Sequence, residues 1–204
     1  MSAIPPLFGD SDGNYRIRIV GNSGVGKSTL GRQLSKILGI PYFGLDELFW
    51  KPGWEKSSAE EFQGKLNKVL SEHSSWIIDG NYSSKGGNLA RGISTDVVWL
   101  DPPFVLYFYR IIVRTSLRLL GLGPACSPGC EETIQSLLAW DNIILLCLNH
   151  HQPMRTREHQ NLLQSGVDIG GNMRRIGGWG SDLTNWLEAV RQQEQTRLQL
   201  ERVE

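Results

Sequence analysis

The segment Gly21-Asn22-Ser23-Gly24-Val25-Gly26-Lys27-Ser28 reads G-x-x-x-x-G-K-S and follows an apolar-alternating run at 15–20. Such a loop works only where a strand turns directly into a helix, because successive backbone N–H groups must close around an anion while the lysine reaches in from the first helical turn. Lys27 is the residue that reaches the β- and γ-oxygens of a bound nucleotide, Ser28 carries the hydroxyl that ligates Mg²⁺, and Thr29 adds a second hydroxyl beside the α-phosphate. The chain is therefore expected to form an α/β domain that binds a nucleoside triphosphate.

At 204 residues and 22.9 kDa the chain suits one well-buried domain. Lysine plus arginine equals aspartate plus glutamate at 21 each, so the formal charge is zero. That balance disfavours a protein held on nucleic acid through phosphates. Three cysteines, with no secretory leader or membrane-length apolar run, fit a reducing compartment, and the expected address is cytoplasmic with no membrane partner. A monomer is favoured.

Residues 1–14 mix Pro, Gly, Asp and Ser without periodicity and read as a flexible, dispensable leader to a single domain over 15–190. Strands are expected at 15–20, 42–45, 76–79, 96–100 and 172–176. Helices are expected at 28–38, at 58–72 behind an S-x-x-E capping box, from Pro102-Pro103 to about 120, over 131–151 and around 155–164, and from Ser181 or Asp182 into a charged C-terminal helix or tail at 191–204. The glycine-flanked stretch 121–130 reads as a short lid-like insert, and 49–56 as a loop. Five short strands alternating with helices imply a three-layer α/β/α arrangement around a five-stranded parallel sheet.

In such a sheet the ligand lies beyond the carboxyl ends of the strands. Asp46 and Glu47 follow the second expected strand, Asp79-Gly80-Asn81-Tyr82 the third, and Asp101 the fourth. Asp79, entered straight from Trp76-Ile77-Ile78, is the preferred Mg²⁺ partner of Ser28, although a strand-end aspartate also serves as a turn cap. Gly80 stands where hydrolases often place the second of two acids, which favours transfer to a bound acceptor over hydrolysis of ATP. Arg110, Arg114 and Arg118 recur every four residues along one helix face, as an anion clamp or as a solvated face, with Arg110 and Arg114 the candidates for charge neutralisation. Trp50 or Trp54 could stack on a planar acceptor or simply pin the loop, and Lys85 and Arg91 could meet an acceptor phosphate or solvent. Arg175, or the Gly-Gly turn after it, could border the donor base. Cys126 and Cys130 with His150 and His151 make a weak zinc pattern, and the histidine pair before Pro153 reads better as a helix C-terminus.

These motifs together resemble the adenylate-kinase-like group of P-loop kinases, and within it the small proteins called DNA topology modulation proteins and their fungal relatives. The resemblance runs over most of 16–187 and is carried by GNSGVGKST, LDELFWKPGW, WIIDGNY and LDPP with the arginine-bearing helix behind it. It implies ATP and Mg²⁺ as cofactors, Asp79 as the carboxylate at the magnesium, and Arg110 and Arg114 as the lid-border pair, the first on adenine and the second on phosphate. Asn81-Tyr82 replaces the part of the adenylate-kinase motif that carries an acceptor-binding arginine, so the acceptor need not be AMP. Phosphoryl transfer to a nucleoside monophosphate or a similarly sized small molecule is the expected activity, with Asp46, Trp50, Trp54, Gly80, Asn81, Tyr82 and Arg91 around the acceptor. The alternative is a nucleotide-dependent binding or regulatory protein without turnover. No guanine-reading N-K-x-D occurs, which leaves ATP as the expected donor.

Overall fold

The computed structural model describes residues 5–82, 89–120, 122, 129–130 and 143–200. A five-stranded parallel sheet is built from β1 (Arg16–Val20), β2 (Tyr42–Gly44), β5 (Trp76–Asp79), β6 (Asp96–Leu100) and β7 (Met173–Ile176), in the spatial order β2-β5-β1-β6-β7. Around it lie α1 (Lys27–Leu38), the short α2 (Leu45–Phe49), α3 (Ala59–Glu72), α4 (Phe104–Leu119), α5 (Ile143–Ser165) and α6 (Ser181–Leu200). Among the described residues no helix is long and apolar enough to cross a membrane.

Strand alternation divides the core in two. Ile17, Ile19, Ile77, Val98, Leu100 and Ile176 turn toward Leu30 and Leu34 of α1, Tyr107 and Ile111 of α4 and Leu187 and Val190 of α6. On the other face Trp76 and Ile78 meet Phe49, Phe62 and Leu66, while Val97, Trp99 and Met173 lie under Leu162 of α5. The capping box is complete: the Ser58 hydroxyl accepts from Glu61 N at 3.1 Å and the Glu61 carboxylate accepts from Ser58 N at 2.9 Å. Ser58→Ala is expected to cost about 1 kcal/mol in a urea unfolding titration.

Four expectations are corrected. Residues 5–14 are packed, not a loose leader: Leu7 is fully buried, Phe8 N and Gly9 N donate to the two oxygens of buried Asp96, and Gln193 of α6 bonds both Leu7 N and Leu7 O. The charged 191–200 portion is helical, as one reading had it, but it continues α6 and packs with the domain through Gln193 instead of standing beyond a boundary at 190. The stretch after β2 begins a helix at Leu45, and the expected loop at 49–56 contains a two-stranded ribbon of β3 (Trp50–Lys51) and β4 (Glu55–Lys56) around a tight Pro52–Trp54 turn. Helix α5 does not end at His151 but runs through Pro153. Proline there forfeits a backbone bond, yet Met154 and Glu158 on the next turns are buried, so packing overrides the local rule. Of the expected lid at 121–130 only Leu122, Gly129 and Cys130 lie within the described residues. Gly129 O accepts from Gly53 N at 2.8 Å and buried Cys130 Sγ donates to Lys51 O at 3.1 Å, which seats this pair on the Pro52–Trp54 turn.

Candidate active site

The carboxyl ends of β1, β5 and β6 converge on the loop between β1 and α1. Gly24 turns there with φ 79, and a Cβ on it would lie 2.5 Å from Ile111 Cγ1, so α4 closes over a backbone that only glycine permits. The Asn22 side chain shapes the loop from within, accepting from Ser23 N at 2.8 Å and donating to the Tyr107 hydroxyl at 3.4 Å. Tyr107 in turn is hydrogen-bonded to His151 Nδ1, which joins α5 to the loop. Lys27 Nζ donates to Asn22 O at 2.9 Å, folded across the cradle. The first N–H groups of α1 have no partner within the helix and form a donor set for an anion.

Ser28 Oγ donates to Asp79 Oδ2 at 2.7 Å. The structure thus brings together the two residues read from sequence as the magnesium pair, 51 positions apart in the chain. Two of the other strand-end acids, Asp101 and Asp46, have partners of their own. Asp101 Oδ2 accepts from Arg175 at 2.7 Å and from Arg155 at 3.2 Å, and Asp46 Oδ1 accepts from the Tyr82 hydroxyl at 2.6 Å. A hydroxyl and a carboxylate oxygen at this separation, beside Lys27 and the N-terminus of α1, are the hard oxygen donors that suit Mg²⁺ on a phosphate. Among the described residues no group of three or more His, Cys, Asp or Glu gathers as a metal cluster, while Cys126 and the Cys147 side chain lie outside them.

Burial pushes the Asp79 carboxyl above the ordinary aspartate range, and Lys27, Ser28 and Tyr42 pull it part of the way back. The unfolded chain gives up this proton near the usual value of about 4 and the folded chain only at higher pH, so stability falls as pH rises through that window. Asp79→Asn, which cannot ionise, is expected to raise the melting temperature of the nucleotide-free protein more at pH 7 than at pH 4. Thermal unfolding at the two pH values measures the difference.

The acceptor-side residues divide. Gly80 packs on Leu45, where a Cβ would lie 2.8 Å from Leu45 Cβ, and Asn81 Nδ2 donates to Gly21 O at 2.7 Å, so both stand at the cradle. Tyr82 and Asp46 are joined by their hydrogen bond. Trp50 meets Phe49 at 5.1 Å and Trp54 at 5.4 Å, both edge to face, and Lys56 Nζ lies 5.7 Å from the Trp50 ring. Arg91 is not gathered with them: its guanidinium donates to Asn161 of α5 at 2.6 Å, in the segment that leads down to the start of β6. Lys85 lies outside the described residues. Arg175 holds Asp101 with its guanidinium 5.3 Å from the Trp99 ring, while Trp179 is exposed. Arg110, Arg114 and Arg118 line one flank of α4, where they border a groove of about 340 Å³ with Tyr109, Val113 and Leu117. Sequence reasoning passed over Tyr107 and His151. Tyr107 left a readable trace, a hydroxyl in line with buried Ile111 and Thr115 at helical spacing.

The solved structure of TT1252 from Thermus thermophilus aligns with 91% of this chain and 98% of its own, with a TM-score of 0.51 and 16% identity. The shared feature is the fold. This is the three-layer P-loop fold. A gluconokinase from Sinorhizobium meliloti 1021 aligns more loosely, covering 91% of this chain and 95% of that one, with a TM-score of 0.49 and 12% identity. In sequence, 74 residues are 38% identical to the uncharacterized protein YqaC of Bacillus subtilis (strain 168), a match over 36% of this chain and 42% of that relative's length. No protein-family model matches the chain.

Proposed function

We propose that this chain is a Mg²⁺- and ATP-dependent small-molecule kinase whose acceptor is a nucleoside monophosphate or a molecule of similar size. The observation that carries this reading is the 2.7 Å bond between Ser28 Oγ and Asp79 Oδ2 beside Lys27 and the first turn of α1. It couples a phosphate cradle to a carboxylate on the neighbouring strand, the arrangement a metal-bridged phosphate requires. When bound, Mg²⁺ would supply charge neutralisation at the transferred phosphoryl group, held by Ser28 and Asp79.

The chain's own groups do the rest. The α1 N-terminus and loop backbone hold the phosphates, Lys27 leaves Asn22 O for their oxygens, and Arg110 and Arg114 add positive charge from the α4 side. Arg175 at the sheet edge borders the donor base, with Asp101 fixing its guanidinium. Asp46, Gly80, Asn81 and Tyr82, with Trp50 and Trp54 on the ribbon, line the acceptor side. Gly80 in place of a second acid accords with transfer rather than hydrolysis.

The deciding experiment is Mg²⁺-dependent ADP production from ATP with AMP, CMP, UMP, dTMP, shikimate and gluconate as acceptors. Stimulation by one of them identifies the substrate class, whereas ATP binding with no stimulation by any of them counts against the kinase reading. Asp79→Asn is expected to raise the Mg²⁺ concentration for half-maximal rate by at least about tenfold. An unchanged requirement would move the metal role to Asp46 or Asp101.

A further inference from the structure

On the acceptor side, the hydrogen-bonding groups that the chain has already used decide which ones a bound molecule would find. Asn81 spends its amide hydrogens on the chain, with Nδ2 donating to Gly21 O at 2.7 Å and to Met154 Sδ at 3.3 Å. A carbonyl only accepts, so the amide cannot be turned the other way. Its Oδ1 is left buried and without a partner, an oxygen that only an added donor would satisfy. Tyr82 spends its hydroxyl proton on Asp46 Oδ1 at 2.6 Å, and its ring is seated on Phe49 and Phe62 with centroids at 4.8 and 5.3 Å. Asp46 itself is exposed in the first turn of α2. Glu47 follows it, and a Cβ on Gly44 would lie 3.5 Å from Asp79 Oδ1 and 3.6 Å from Glu47 Oε1, which sets the start of α2 against the cradle carboxylate. The arginine read from sequence as a partner for an acceptor phosphate, Arg91, is drawn off to Asn161 at 2.6 Å.

We infer that the phosphoryl acceptor is an uncharged hydroxyl compound, such as a nucleoside or a sugar alcohol, that donates hydrogen bonds to the acceptor-side oxygens and carries no phosphate. The inference rests on the reading of the chain as a small-molecule kinase and chooses among the acceptors which that reading allows. Asp46, Asn81 and Tyr82 leave oxygens, not N–H groups, for a bound molecule. A phosphate brought there would set its own lone pairs against theirs, beside the carboxylates of Asp46 and Glu47. A hydroxyl offers the proton that those oxygens lack. Sites built to bond a hydroxyl discriminate strongly against molecules that cannot donate, because their polar groups are then left unpaired. In the transfer, the acceptor's oxygen forms the new bond to the γ-phosphorus and the bridging oxygen departs with ADP and its electron pair. The hydroxyl proton passes to Asp46, whose carboxylate Tyr82 holds in place.

The test compares Mg²⁺-dependent ADP production from ATP with matched acceptors: adenosine against AMP, cytidine against CMP, and glucitol against gluconate. The expected result is that the uncharged member of a pair stimulates, exceeding its anionic partner by at least about tenfold in kcat/KM. Asp46→Asn is expected to lower the rate with that compound by about a hundredfold, with unchanged melting because the side chain is exposed. Tyr82→Phe keeps the ring on Phe49 and Phe62 while removing the hydroxyl, and is expected to raise the KM for the same compound by about tenfold. AMP or CMP stimulating at least as well as its nucleoside, or an Asp46→Asn protein working at the full rate, overturns the inference and leaves the kinase reading standing. Stimulation by no member of any pair, with ATP still bound, counts against both.

Discussion

Lys27→Ala is expected to lower ATP-dependent transfer by about a thousandfold while leaving the melting temperature nearly unchanged. The side chain donates to Asn22 O at 2.9 Å, on a loop whose shape is set independently by the Asn22 and Gly24 contacts. Removing the ammonium therefore takes little from the fold. What it removes is a charge aimed at oxygens that become more negative in the transition state, in a site bordered by backbone dipoles. Acceptor-stimulated ADP release and thermal unfolding on the same preparation measure both halves. A variant that transfers at the full rate would sink the assignment, and one that melts far below the wild type would show that the loop, not the charge, had been lost.

Truncation of the chain before Tyr15 is expected to destabilise it by about 5 kcal/mol or more, enough to leave many domains of this size unfolded. Two losses combine. Leu7 is fully buried in the cluster that includes Ile17, Leu34 and Val190, and its removal opens a cavity of leucine size. Asp96, also fully buried, would lose Phe8 N and Gly9 N at 2.9 and 3.1 Å, leaving its charge to Thr95 and a distant Arg174 at 3.6 Å. Urea unfolding of the full and truncated chains measures the difference. Leu7→Ala alone is expected to give about half of it, and a truncated chain as stable as the full one would contradict the packing described above.

The leader shows why part of this architecture was not readable in advance. Its Pro, Gly and Asp residues carry a local preference for turns, which is satisfied at Asp10, yet the burial of Leu7 depends on partners on β6 and α6 that no local pattern announces. Strands β5 and β6 were legible because each is a short apolar run bounded by abrupt polar stops, and α3 because its capping box is local chemistry. Pro153 marks the opposite case, a strong local signal overruled by the burial of Met154 and Glu158. Within the site, Ser28 and Asp79 were legible because a motif and a strand end each specify one oxygen. Arg91 was misplaced because the connection after β5 returns to the far end of the sheet before β6 begins, carrying the arginine to Asn161.

The bonds between Leu7 and Gln193 span 186 positions. On a ribosome, the first of these residues is made long before the second has left the exit tunnel. The sheet can pair as its strands emerge, but the N-terminal segment has no helix to dock on until α6 emerges, so the final closure comes after the rest of the sheet has been made. During that interval the apolar surface that Leu7 and α6 will share stays open to other chains. Conditions that slow release or raise nascent-chain density are therefore those in which this protein is most exposed to aggregation, whatever the stability of the finished domain.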